Sequence, residues 1–114
     1  MSQVEEARAR ADHEYDCLLT LALPADLEEE VLDHLAAHPE WVRGFSVVHA
    51  EGFGAGARLR TSMEQVRGRS RRRLVQLLMR QEQVHGLIDS LQGSFKTPEM
   101  AWWASPISGF GRFA

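Results

Sequence analysis

Two stretches limit the possible folds more than any others. DCLLTLAL, from Asp16, and RRRLVQLLM, from Arg71, are short, strand-like and apolar on both faces. Successive side chains of a strand alternate, so Cys17, Leu19, Leu21 and Leu23 fall on one side and Leu18, Thr20 and Ala22 on the other. In the second stretch Leu74 and Leu78 oppose Val75, Leu77 and Met79. Such strands must be covered on both sides. A helical pattern follows each. ADLEEEVLDHLAAH carries the stripe Leu27, Val31, Leu32 and Leu35. It opens with the capping-box spacing of Asp26 and Glu29, places Glu28, Glu29 and Glu30 at the positive helix start, and stops at Pro39. QEQVHGLIDSLQGSF sets Val84, Leu87, Ile88 and Leu91 at i, i+3, i+4 and i+7, with Gly93 as the stop. Two more strands, VRGFSVVHA from Val42 and EMAWWAS from Glu99, complete the series. The order is β-α-β, a long connection, β-α-β. This is the split βαβ pattern of an α+β, ferredoxin-like βαββαβ fold, a four-stranded antiparallel sheet with two helices on one face.

Two helices leave the other face of that sheet bare. Antiparallel sheets ordinarily put polar residues there. Here the two central strands are apolar on that side as well. Trp102 and Trp103 are adjacent in the last strand, so one of them must also point to it. An apolar sheet face of this kind marks an interaction surface. The expectation is a homo-oligomer closed through the sheet faces. The alternative is that the tail from Pro106, PISGFGRFA, folds back over the face within one chain.

A chain of 114 residues suits one domain, and 44% hydrophobic with 25% charged residues is ordinary for a globular one. Residues 1–13 read as a flexible N-terminal tail and residues 14–114 as the domain. The single cysteine, Cys17, leaves no internal disulfide and no multi-cysteine zinc pattern. It faces with leucines, which predicts a buried, inert thiol. The start has no apolar core of a secretory signal, and no apolar stretch is long enough to cross a membrane. A cytoplasmic protein is the expectation.

The net charge of −3 excludes any argument from overall basicity, so the run RGRSRRR at 67–73 must be weighed locally. It closes a long segment, about 51–70, that opens EGFGAGA and shows little periodicity. Connections of that length in compact domains are commonly functional or disordered. Gly52 and Gly54 would supply backbone freedom at its base. Arg71 and Arg73 share a strand face, Arg72 points the other way, and Arg67 and Arg69 lie in the connection. Arginine's planar fork suits phosphate, carboxylate or an acidic partner. The run also reads as a solvated loop kept open by charge. Nucleic-acid binding is the weakest reading, because the run lacks interleaved aromatics for stacking bases.

His34 and His38 lie one helical turn apart, the spacing of a metal-ligand pair, on a helix whose acids equally suit a plain surface. His49, at the end of the second strand, reads as a structural histidine. No nucleophile elbow, P-loop or dinucleotide fingerprint is present, and nothing assembles a nucleophile, base and oxyanion site. The expectation is a protein that is not an enzyme.

The element order, Gly52-Phe53-Gly54 at the strand end, the basic connection and Val66-Arg67-Gly68 at its close resemble the PII superfamily. Glu64–Gly68 and the Trp103–Pro106 pattern followed by Gly109 resemble a branch of PII-like proteins often encoded beside heavy-metal efflux pumps. The resemblance spans roughly residues 14–112. It implies a homotrimer with a ligand site in each cleft between subunits, built from the base of the T-loop-like connection and the turn after strand three. Gly52, Phe53, Gly54, Arg67, Gly68, Arg69, Arg71 and Arg73 are the residues that would serve ligand or partner. The ligand class implied is an adenine nucleotide or another small anion. The turn Met79-Arg80-Gln81-Glu82-Gln83 has neither glycine nor lysine to cradle phosphates, so ATP in the PII manner does not carry over. The partner implied is a membrane transporter, such as an efflux pump, or another protein. A metal-binding protein for heavy-metal tolerance, through His34 and His38, and nucleic-acid binding through the arginine run stay open.

Overall fold

The structure, a computed structural model, describes residues 14–52 and 70–114. The expected N-terminal tail and nearly all of the long connection lie outside the described residues. Strands β1 (Cys17–Pro24), β2 (Ser46–Gly52), β3 (Ser70–Met79) and β4 (Ala101–Pro106) form one sheet in the order β2-β3-β1-β4. Every neighbouring pair is antiparallel. Helices α1 (Glu28–Ala36) and α2 (Gln81–Ser94) supply the two crossovers. The ferredoxin-like α+β fold expected from the sequence is the fold observed.

Register assigns the two faces. Leu19 pairs with Leu77 and Leu21 with Val75, and this face meets the helices. Leu19, Leu21, Leu23, Val75, Leu77 and Met79 are buried there with Val31 and Leu35 of α1 and Val84, Leu87, Ile88 and Leu91 of α2. Each such side chain contributes about 1.5–3 kcal/mol by leaving water. Cys17 joins this core, as expected, and burial together with the nearby Asp16 charge pushes its thiol pKa up.

The opposite face is built of rows across the sheet. One row is Val48, Leu74, Ala22 and Ala101, all apolar. The next is Ser46, Gln76, Thr20 and Trp103. Trp102 shares the helix face with Leu21, so the two tryptophans do point oppositely. Trp103 is 47% exposed and Val48 42%. The tail covers only one end of this face. There Phe110 packs edge-on against Tyr15 at 4.7 Å, and Arg112 holds Glu14 through two hydrogen bonds of 2.7 and 3.1 Å.

Several boundaries differ from the sequence reading, each for a local reason. Helix α1 does not start on a side-chain cap. A 3-10 turn, Ala25–Leu27, follows Pro24 and leads into it, and neither Pro24 nor Leu27 caps through a side chain. Strand β2 starts at Ser46 rather than Val42. The N–H groups of Trp41 and Val42 both donate to the His38 carbonyl, which extends the end of α1 and takes those residues out of the sheet. Helix α2 runs through Gly93 to Ser94. Its first N–H, on Gln81, donates to Asp16 Oδ1 at 2.7 Å, so the helix is capped from the start of β1. Among the described residues no helix is long and apolar enough to cross a membrane.

Candidate ligand site at the base of the long connection

The connection leaves β2 at Gly52 and returns at Ser70, which are Cα partners in the ladder. Phe53, Gly54, Arg67, Gly68 and Arg69 lie outside the described residues. Gly52 is required by space rather than by the backbone freedom expected of it. Its φ lies outside the left-handed region, but a Cβ there would sit 2.7 Å from Ser70 Oγ and 3.0 Å from Arg72 Cγ. Ser70 is 2% exposed and its hydroxyl donates to the Gly52 carbonyl at 3.5 Å, so the contact is confined. Gly52→Val is expected to destabilise the fold by about 1–3 kcal/mol, as overpacking does. Gly52→Ala should be milder and should be relieved by adding Ser70→Ala. Thermal melts of the three variants check this.

The arginines of the run split into three roles. Arg71 is exposed and lies directly opposite Glu51. Arg73 is 8% exposed; its Nε bonds Glu28 Oε1 at 3.1 Å and its Nη1 donates to the Arg72 carbonyl at 3.2 Å. It therefore ties the end of the connection to the first residue of α1. Arg72 reaches from the other side of β3, its Nη2 donating to the Glu99 carbonyl at 2.8 Å. That bond fixes the α2–β4 turn, residues 95–100, beside the base of the connection.

Arg71 and Arg73 line a cavity of about 400 Å³ with His49, Ala50 and Glu51. His49, which the sequence reads as a structural histidine, is exposed there and forms a wall of the cavity. Two guanidinium groups in this wall face the carboxylates of Glu51 and Glu28, so charge nearly balances among the described residues.

The turn after β3, which the sequence reading grouped with this site, is at the far end of the same chain. Met79 ends a strand that starts at Ser70, roughly 30 Å away at about 3.3 Å per residue. The turn that does adjoin the base within one chain is Phe95–Met100, with Lys96. The sequence alone missed it, because the Arg72–Glu99 contact that brings it there spans 27 positions.

His34 and His38 lie elsewhere, toward the C-terminal end of α1. Both turn toward α2, where their Nε2 atoms lie 2.9 and 3.3 Å from Ser90 Oγ. Burial, with the charge of His38, lowers the pKa of His34. Among the described residues no group of three or more His, Cys, Asp or Glu comes together to hold a metal ion.

Residues 14–114 match the family described as protein of unknown function DUF3240. No curated protein matches the chain. Among solved structures, the fold is similar to that of a DUF3240 family protein from Shewanella baltica OS155, with TM-score 0.69 and 21% identity over 88% of this chain and 98% of that one. It is also similar to CPII, a nitrogen regulatory PII-like protein from Thiomonas intermedia K12 bound to ADP, AMP and bicarbonate. There the TM-score is 0.63 and the identity 19%, over 85% of this chain and 93% of CPII. The apo form of CPII aligns with TM-score 0.57 and 18% identity over 81% of this chain and 88% of that one. The PII-like fold expected from the sequence is thus the fold of these structures.

Proposed function

The chain belongs to the DUF3240 family, and on that premise we propose that it is a PII-like regulatory protein, cytoplasmic and not an enzyme. It binds a small anion at the base of its long connection. The observation that carries this reading is the cavity in which His49, Arg71 and Arg73 meet at the mouth of that connection. Among the described residues its site is one of arginines and an imidazole, side chains that suit the binding of an anion. The ligand class is an adenine nucleotide or bicarbonate, the anions that CPII is described as holding.

The assembly is a homotrimer closed through the bare sheet face, with the clefts between subunits meeting the bases of the connections. Ligand orders the connection, whose arginines then engage a partner carrying acidic groups. A membrane transporter is that partner, and a heavy-metal efflux pump fits the branch that the sequence resembles.

Thermal-shift measurement with ADP, AMP, ATP and sodium bicarbonate tests the reading, because a ligand that binds only the folded state raises the melting point. A rise with a nucleotide or bicarbonate is expected. The triple variant Arg67→Ala/Arg69→Ala/Arg71→Ala should lose that rise, and its own melting temperature is measured alongside to separate lost binding from lost stability. A full rise in the triple variant would sink the assignment of the arginines.

A further inference from the structure

A second constellation lies in the seam between α1 and α2, independent of the ligand site proposed above. His34 is six residues beyond Glu28, about 9 Å along α1 from the ion pair with Arg73. One turn later His38 follows on the same face, and the two rings lie 4.8 Å apart. Both Nε2 atoms converge on a single oxygen, Ser90 Oγ of α2, at 2.9 and 3.3 Å. The opposite nitrogen of His38, Nδ1, lies 2.9 Å from Glu40 Oε1.

Hydrogen-bond accounting fixes the protons. A carboxylate only accepts, so Nδ1 of His38 carries the proton and, in the neutral ring, its Nε2 bears a lone pair. The Ser90 hydroxyl has one hydrogen and gives it to that lone pair. His34 then donates to the same oxygen from its Nε2. One tautomer shift in His34 therefore leaves two imidazole lone pairs aimed at one point. A carboxylate on the far nitrogen of a histidine is the arrangement that orients metal ligands and raises their basicity. The rings are also held in place. Trp41 stacks on His38 with centroids 5.3 Å apart, and Phe95 meets His34 edge-on at 5.8 Å. Trp41 in turn lies against Gly86, where a Cβ would come within 3.1 Å of its ring. Both histidines are only partly buried, so an ion can enter with its waters.

We propose that this seam is a binding site for a divalent first-row transition-metal ion, with Nε2 of His34 and of His38 as the protein's nitrogen ligands. Glu40 positions His38 without touching the ion. The Ser90 hydroxyl either turns aside or stays as a weak oxygen ligand, and water completes the shell. Imidazole pairs of this kind favour copper(II) over nickel and zinc.

The test is titration of the full chain with copper(II) sulfate, then zinc sulfate, in a non-chelating buffer, followed by calorimetry and by copper electron spin resonance. The expected result is one copper per chain with a nitrogen-coupled spectrum, and weaker zinc binding. His34→Ala and His38→Ala should each weaken copper at least tenfold. Glu40→Gln should weaken it about 10- to 100-fold, the usual effect of removing such a partner. Ser90→Ala should lower the melting temperature, because the helices lose their shared hydroxyl, yet keep the copper. That variant separates a metal site from a purely structural latch. Absence of copper heat, or copper binding unchanged in the two alanine variants or in Glu40→Gln, would overturn the proposal.

Discussion

Trp103→Glu is expected to convert the proposed trimer into single chains that remain folded. Trp103 stands at the edge of the bare face, in register with Thr20, and is 47% exposed in one chain. A tryptophan carries roughly 150–250 Å² of burial, much of it still available here. The adjoining row of Val48, Leu74, Ala22 and Ala101 adds apolar surface without a single charge. In the proposed trimer three such faces close together, so the substitution is repeated in every subunit. A carboxylate forced into that contact must be desolvated without a partner, which costs several kcal/mol per copy. The single chain loses little, because Trp103 lies outside the core under the helices. Light scattering should therefore report a fall to the mass of one chain, with the far-ultraviolet circular dichroism unchanged. Leu74→Glu, in the central strand β3, should act in the same direction. A parent protein that is already a single chain at micromolar concentration would refute the assembly. So would an unchanged assembly in both variants.

The fold was legible because its signals are local. The stripe Val84, Leu87, Ile88 and Leu91 is fully inside the core, and the two-sided character of 17–23 and 71–79 places β1 and β3 at the sheet centre. The apolar row on the face away from the helices follows from alternation alone. What escaped were contacts between residues far apart in the chain. Glu28 reads as an acid that complements a helix start, yet its carboxylate meets Arg73, 45 positions away. Asp16 reads as the residue before a strand, yet it caps α2 across 65 positions. Ser90 carries no signal at all in the sequence, and only the packing of α1 on α2 brings it to both histidines. The start of β2 moves from Val42 to Ser46 because Trp41 and Val42 belong to the extended end of α1. Their N–H groups are already committed to the His38 carbonyl. Periodicity reports which side of an element is buried. It does not report which polar groups meet.

Arg73→Ala should separate structure from binding within the arginine run. Among the described arginines, Arg73 is the one inside the fold, at 8% exposure, although the sequence grouped it with ligand-binding residues. Its guanidinium holds Glu28 at 3.1 Å and the Arg72 carbonyl at 3.2 Å. Removing it leaves the Glu28 carboxylate without this partner. Breaking a fully buried pair costs about 3–5 kcal/mol. The Glu28 side chain is 30% exposed, so water recovers part of that loss and about 2–3 kcal/mol remains. At roughly 4 °C per kcal/mol for a domain of this size, the melting temperature should fall by about 10 °C. Arg71→Ala, at the exposed position two residues earlier, should move it by less than about 2 °C and act instead on anion binding. The double variant Arg73→Met/Glu28→Gln should recover much of the stability, because it removes both charges and keeps the volume of the stem. If Arg73→Ala instead left the melting temperature unchanged and abolished the nucleotide or bicarbonate response, its ion pair would be incidental. The residue would then belong with Arg71 on the ligand side of the cavity.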